Sequence, residues 1–224
     1  MKILVTGSNG FIAKNLIQFL YEKDDIEILK INRQSSDAEL ITAVTEADWI
    51  IHLAGVNRPV NEQEFIDGNV CLTQKIAQCL IDAQKQTPII LSSSIQAEHE
   101  NAYGKSKLGG EQVLLDLQQS NGNPVHICRL ANIFGKWSRP NYNSAVATFC
   151  YNTANDLPIQ INDENAVIRL VYVDDVVETF WNIIQGNITV TPTFEITPEY
   201  QITVGDLAKI LQGFKQSRDS LISD

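Results

Sequence analysis

The chain has 224 residues, 44% of them hydrophobic and 20% charged, which gives room for one large domain with a sizeable core and the balance of an ordinary globular protein. A formal net charge of -10 argues against nucleic acid as a partner, and it means that an anionic ligand needs local cations. No run of eighteen apolar residues marks a membrane span, and Met1-Lys2-Ile3-Leu4 enters a strand without a signal-peptide layout, so a cytoplasmic protein without a membrane partner is expected.

Lys2–Thr6 is a short, apolar, β-branched run of strand character, and Gly7-Ser8-Asn9-Gly10-Phe11-Ile12-Ala13 follows it directly and opens a helical pattern over 11–22. Gly7 permits the tight turn, Gly10 lets the backbone approach a pyrophosphate, and Ala13 is small enough for helix and strand to pack closely. The helix amino terminus supplies amide donors for phosphates, so this is a dinucleotide-binding turn. A second strand spans 26–31. An NAD-preferring site places an acidic side chain at that strand's end, but Lys30-Ile31-Asn32-Arg33 offers no carboxylate before Asp37. Arg33 is instead placed to meet a 2'-phosphate, which favours NADPH over NADH; a solvated surface arginine is the plain alternative.

Residues 37–46 suggest a short helix. Asp48–Leu53 reads as a buried strand closed by Ala54-Gly55, and 62–85 as a helix with Val70, Ala77, Leu80 and Ile81 on its apolar side. Pro88–Ser94 is the next strand. A helix beginning near Tyr103 runs to about Gln119, the turn Asn121–Pro124 breaks it, and Val125–Leu130 returns as a strand. Residues 132–165 are rich in Asn, Pro and aromatics, after which only 173–185 and 205–214 look helical. The alternation predicts an α/β fold, a Rossmann-type doubly wound parallel sheet with a small C-terminal substrate-binding lobe, as one domain over 1–224. The core is expected at about 1–131 plus 166–186 and the lobe at about 132–165 and 187–224, over a cleft at the strand carboxyl ends.

Cys71, Cys79, Cys128 and Cys150 show no Cys-x-x-Cys spacing, and His52, His99 and His126 are scattered, so reduced thiols and no metal site are expected. The chemistry concentrates at Ser92-Ser93-Ser94 and, nine residues on, at Tyr103 and Lys107. On a helix, positions i and i+4 share a face, so the Lys107 ammonium is expected near the Tyr103 phenol, favouring its ionised form. Alone the pair carries little weight, since six tyrosines and eleven lysines give about 0.3 such pairs by chance. Downstream of a glycine turn it reads as a proton donor beside a nicotinamide. Hydride delivery to a ketone builds negative charge on its oxygen, where a hydroxyl donor and a proton source act most strongly in the transition state. Ser94 is the expected donor, chosen over Ser93 because it lies nearest the strand's carboxyl end, and Tyr103 is the acid. Moving a phenol about three units towards neutrality takes about 4 kcal/mol of differential stabilisation.

Thr6-Gly7-x-x-Gly10-Phe11-Ile12, the His52–Gly55 strand end, Asn69, Ser92–Ser94, Tyr103-x-x-x-Lys107, Arg129-x-x-Asn132-x-Phe134-Gly135 and Arg169-x-x-Tyr172-Val173-x-Asp175 together resemble the extended short-chain dehydrogenase/reductase superfamily, in its order and over about residues 1–210. The resemblance implies that Ser94 and Tyr103 bracket a substrate carbonyl while Lys107 holds the nicotinamide ribose. It implies cofactor contacts from Gly7, Asn9, Gly10, Phe11, Ile12, Arg33, Leu53, Ala54, Gly55, Asn69, Tyr103, Lys107 and Leu130. It also implies a nucleoside-diphosphate sugar held by Ser94, Asn132, Lys136, Arg139, Asn143 and Arg169, and a homodimer through the helices beginning near Glu62 and Tyr103.

Three reactions run on such a site. Dehydratases of the family resemble Thr-Asp-Glu where this chain has Ser94-Ile95-Gln96, so dehydration is not expected. A 4-epimerase with tightly bound NAD is an alternative that Arg33 argues against, and a non-catalytic NADP(H)-sensing regulator is a second that the Tyr103–Lys107 pair argues against. Asn57-Arg58-Pro59, Leu91–Ala97, Phe134–Ser144, Ala147–Tyr151 and Phe214–Arg218 look like the reductase domain of bacterial capsular-polysaccharide enzymes. That likeness implies NADPH-dependent reduction of the 4-keto group of a UDP-linked 2-acetamido-2,6-dideoxy-hexos-4-ulose, towards UDP-N-acetyl-L-fucosamine. Relatives of this type add a zinc-binding cupin domain that epimerises C3; the sequence stops near Asp224, so epimerisation is not expected of it.

Overall fold

In the computed structural model, which describes residues 1–217, Lys2–Thr6 forms strand β1, with Ile3, Leu4 and Val5 fully buried. Helix α1 (Phe11–Leu20), β2 (Glu27–Ile31), α2 (Asp37–Glu46) and β3 (Trp49–His52) follow. The chain then passes through α3 (Gln63–Ile66), a π-helical turn at Asp67–Cys71 and α4 (Leu72–Asp82) to β4 (Ile89–Ser94). A 3-10 turn at Ile95–Glu98 leads into α5 (Ala102–Asn121) and β5 (Val125–Leu130). Beyond them come β6 (Asn132–Phe134), α6 (Ala145–Ala154), β7 (Val167–Tyr172), α7 (Val173–Ile184), β8 (Thr193–Phe194), β9 (Tyr200–Thr203) and α8 (Val204–Gln216).

Six strands make one parallel sheet in the order β2-β1-β3-β4-β5-β8. Strand order reverses at β1, where β2 lies on one side and β3 on the other, which is the place where open α/β sheets leave a crevice at the strand carboxyl ends. Leu4, Ile50, Ile89 and Ile127 of the sheet pack with Leu40, Val44, Ile76, Leu80, Leu114 and Leu117 of the helices in one buried cluster. Each such side chain contributes about 1.5–3 kcal/mol by leaving water. Register across β4 and β5 pairs Ser93 with Arg129 and Ser94 with Leu130.

Helix ends follow local chemistry. Ser36 and Glu39 close a capping box on α2, Asn101 caps α5 through the Gly104 N–H, and Ser144 caps α6 through the Ala147 N–H. The left-handed Gly122 ends α5 at φ +82°. The 62–85 helix of the sequence reading is interrupted by the π turn, and its apolar face is Thr73, Ile76, Ala77 and Leu80, with Ile81 40% exposed rather than inward. The irregular stretch expected over 132–165 contains β6 and α6.

The described residues divide into two compact units, Met1–Leu130 with Val177–Ile196, and Ala131–Val176 with 197–217. Residues 166–176 pack in the second unit rather than with the core, because β7 pairs with β6 in parallel and β9 antiparallel. Residues 187–196 pack in the first, because β8 extends the large sheet beside β5. Phe149, Leu207 and Ala208 centre the second unit's own core. Arg218, the last residue of the Phe214–Arg218 motif, lies outside the described residues. Among the described residues no helix is long and apolar enough to cross a membrane.

Candidate active site

The glycine turn has the geometry its sequence requires. Gly7 sits at φ +64°, and a Cβ there would lie 2.8 Å from the Ala54 backbone, so β1 and the end of β3 approach as closely as they do only with glycine. The Gly10 N–H donates to the Gly7 carbonyl at 2.7 Å, Gly10 begins α1 without a side-chain cap, and Ala13 is buried beneath. The first amides of α1 are therefore left for a ligand.

Beside this turn lies a cavity of about 790 Å³ walled by Gly7, Asn9, Gly10, Arg33, Leu53, Ala54 and Gly55. Asn32, Gln34, Ser35 and Ser36 line the same cavity next to Arg33, as do Gly68, Cys71, Leu72 and Lys75. Lys75 donates to Asp37 at 2.9 Å, bringing a second cation to the Arg33 side of the cavity. Sequence reasoning missed Lys75, whose signal was its position on the helix that follows the β3 crossover. Of the other expected cofactor residues, Phe11 and Ile12 open α1 half-buried and Leu130 closes β5 buried.

Asn69 stands in the π turn, 5% exposed, with its amide committed to the protein. Its carbonyl oxygen accepts from the Val56 N–H at 2.8 Å, and its amide nitrogen donates to the Val56 carbonyl and to Ser106 Oγ, each at 2.9 Å. This shapes the loop after β3 rather than leaving the amide to reach a ligand. A buried relay supports the turn. Thr6 Oγ1 lies 2.6 Å from His52 Nδ1, His52 Nε2 lies 3.0 Å from Thr73 Oγ1, and Thr73 donates to the Asn69 carbonyl at 2.8 Å. With Thr73 donating onwards, His52 donates through Nε2 and accepts at Nδ1, so it is neutral. Burial, and secondarily the Lys107 charge, push its pKa down to about 3.

Ser94, Tyr103 and Lys107 converge at the carboxyl end of β4. The Ser94 hydroxyl neighbours the Tyr103 phenol, drawing its pKa down, and accepts from the Gln96 N–H at 3.1 Å. Ser93 points the other way and donates to the Glu111 carboxylate. Alternation along β4 thus separates the two hydroxyls, and it is Ser94 that faces the phenol. The Lys107 ammonium donates to the Ser92 carbonyl at 2.8 Å, and burial lowers its pKa to about 8 against an upward pull from Glu111. The expected downward pull of Lys107 on Tyr103 is absent. Burial raises the phenol's pKa, opposed by the neighbouring Ser94 hydroxyl, while the Lys107 ammonium is bound to the Ser92 carbonyl at the strand end. Phe65 of α3 tilts against the Tyr103 ring with centroids 5.6 Å apart, a contact no sequence motif announced.

In the second unit, the Asn132 amide donates to the Arg169 carbonyl at 3.0 Å, and the Arg169 guanidinium holds Glu199 at 2.6 Å. Lys136 pairs with Asp174 at 3.3 Å, Arg139 lies 5.6 Å over the Tyr142 ring, and Asn143 is exposed. The cations expected to offset the acidic chain are there, and Arg169 and Lys136 each carry an acidic partner.

A doubly wound parallel sheet, a glycine turn at its switch point and a Ser-Tyr-Lys cluster at a neighbouring strand end define a nicotinamide-dinucleotide protein of the short-chain type. The chain belongs to the NAD dependent epimerase/dehydratase family, whose sequence profile matches residues 3–196. It is 48% identical over 221 residues, 99% of its length, to the UDP-2-acetamido-2,6-beta-L-arabino-hexul-4-ose reductase of Pseudomonas aeruginosa strain PA103, of which the match covers 59%. It also superposes on the capsular polysaccharide assembling protein CapF from Staphylococcus aureus with a TM-score of 0.86 at 41% identity, over 97% of this chain and 58% of that one. The chain thus spans about three-fifths of the length of these relatives. The UDP-glucuronic acid 4-epimerase of Bacillus cereus, solved with NAD, shares the fold at a TM-score of 0.85 and 19% identity, over 96% of this chain and 84% of that one.

Proposed function

We propose that this chain is a nucleotide-sugar ketoreductase that uses NADPH to reduce the 4-keto group of a UDP-linked 2-acetamido-2,6-dideoxy-hexos-4-ulose, a step towards UDP-N-acetyl-L-fucosamine in surface-polysaccharide synthesis. The observation that carries the reading is the convergence of Ser94, Tyr103 and Lys107 at the end of β4, in a chain 48% identical to the UDP-2-acetamido-2,6-beta-L-arabino-hexul-4-ose reductase of Pseudomonas aeruginosa.

The Gly7 turn, where a Cβ would strike the Ala54 backbone, and the free amides of α1 fit a pyrophosphate; Arg33 with Lys75 fits a 2'-phosphate. When bound, NADPH supplies the hydride. Ser94 donates a hydrogen bond to the ketone oxygen as charge gathers there, and Tyr103 passes its phenolic proton to that oxygen. Lys107, anchored to the Ser92 carbonyl, holds the ribose hydroxyls and, with the cofactor present, the charge that eases the phenol's ionisation. Arg169, Lys136 and Arg139 take the diphosphate, with Asn132 and Asn143 contributing polar contacts to the sugar nucleotide. Apolar Ile66, Ile81 and Leu108, each at least 40% exposed on α3, α4 and α5, support a homodimer through those helices.

Incubation of the chain with NADPH and the UDP-4-keto sugar, followed by loss of reduced-nicotinamide absorbance and by product analysis, tests the reading. Stoichiometric cofactor oxidation with a UDP-2-acetamido-2,6-dideoxy-L-talose product is expected. Redox-neutral interconversion with retained NAD would instead identify a 4-epimerase, and cofactor binding without turnover of any keto sugar a sensor.

A further inference from the structure

Glu111 is 2% exposed and is not a residue the proposed chemistry uses. Its carboxylate takes the Ser93 hydroxyl and Arg129 Nε (3.0 Å) on one oxygen and an Arg129 terminal nitrogen (2.6 Å) on the other. The remaining Arg129 nitrogen reaches Glu98 at 2.9 Å, at the end of the turn that follows Ser94. Arg129 is also the cross-strand register partner of Ser93. One carboxylate therefore ties together the strand that ends in Ser94, the turn after it, the neighbouring strand and the helix that carries Tyr103 and Lys107. Glu111 stands four residues beyond Lys107, one helical turn along the same face.

We propose that Glu111 is a positioning residue of the Ser94–Tyr103–Lys107 site, a buried carboxylate that holds β4 and α5 in the alignment that presents both hydroxyls to one oxygen and that stands one helical turn from Lys107. This rests on the ketoreductase reading for its kinetic part only. The groups around Lys107 leave the electrostatic role to Glu111. His52 of β3 is neutral, Ser92 of β4 offers a carbonyl, Asn69 of the π turn offers an amide, and Tyr103 one turn back is protonated. Burial drives the Lys107 proton off, and the Glu111 carboxylate opposes it.

An ordinary structural ion pair would make Glu111 matter to stability alone, so the deciding readout is the titration of Lys107. Lysines are labelled at Cε in the full chain, the Lys107 resonance is assigned with Lys107→Arg, and its midpoint is followed by NMR in wild type, Glu111→Gln and Glu111→Asp. The midpoint moves to lower pH in Glu111→Gln and lies between the two in Glu111→Asp, which keeps the charge. In parallel kinetics, kcat of Glu111→Gln falls about tenfold to a hundredfold while the NADPH KM stays within about twofold. A Lys107 midpoint unmoved in both variants overturns the inference. Should Glu111→Gln not fold, the Glu111→Asp shift decides it. Because the titration needs no substrate, a wild-type chain inactive on every keto sugar counts against the proposed function, while Glu111 is still judged on the midpoint.

Discussion

The Lys107 ammonium and the Ser92 carbonyl oxygen lie 2.8 Å apart, so the cation carried by α5 is moored to the end of the strand that also carries Ser94. Two residues after that carbonyl comes Ser94, whose hydroxyl neighbours the Tyr103 phenol, so both members of the helix-borne pair meet the end of the same strand.

Mooring a cation in a buried place has a cost that depends on pH. Lys107 is lowered from 10.5 to about 8 by burial, so between those values the unfolded chain holds a proton that the folded chain has released. Stability therefore rises as pH climbs from about 8 towards 10.5, and below about pH 8 the full penalty is present. Lys107→Met should melt about 3–6 °C higher than wild type at pH 7, with the gap closing towards pH 10, while reduction is lost. A melting temperature lower than wild type at pH 7 would contradict this account of Lys107.

His52 makes the opposite edge of the pH range fragile. Its pKa falls from 6.5 to about 3 on folding, so below pH 6.5 the unfolded chain takes up a proton that the folded chain refuses. Stability should drop by about 1.4 kcal/mol for each pH unit between 6.5 and 3 from this residue. Urea unfolding of His52→Asn should show lower stability at pH 7 but a flatter acid limb. Equal slopes in both chains would show that His52 does not set the acid limb.

Arg33 decides the cofactor in the proposed reading. In Arg33→Ser the ratio of kcat/KM for NADPH over NADH should fall about tenfold to a hundredfold, mostly through the KM for NADPH. If the ratio holds, the 2'-phosphate is met elsewhere on the cavity wall, with Lys75 next to be substituted.

The two serines should separate cleanly. Ser94→Ala removes a donor to the developing oxyanion and is expected to lower kcat about a hundredfold to a thousandfold with little change in cofactor affinity. Ser93→Ala takes one contact from Glu111 and should cost about tenfold or less. Equal losses would mean that Ser94 has no special place at the oxygen.

The first 130 residues were legible because a parallel sheet buried on both faces needs continuous apolar runs, and Ile3 to Val5, Ile50 to Ile51 and Ile89 to Leu91 supply them between helical stretches. Gly7 and Gly10 were legible because a turn against the Ala54 backbone admits nothing larger at the first position. The second unit was harder to read. β7 and β9 expose Val167 and Tyr200 at their ends, and α6 pairs β-branched and aromatic residues in a helix held by its Ser144 cap and a small core around Phe149. Spacing could bring Lys107 to the Tyr103 face, but it could not reveal that the ammonium turns to the Ser92 carbonyl. Nor could it reveal Glu111, whose partners Ser93 and Arg129 lie eighteen residues away on either side.

The most direct measurement of the central claim follows an isotope. NADPH deuterated at the transferring C4 position of its nicotinamide is supplied with the UDP-4-keto sugar, and the product is examined by mass spectrometry and NMR. One deuterium should appear at sugar C4 with each NADPH consumed, and Tyr103→Phe should abolish the transfer while binding NADPH as wild type does. A product without deuterium at C4, or undiminished transfer in Tyr103→Phe, would contradict it.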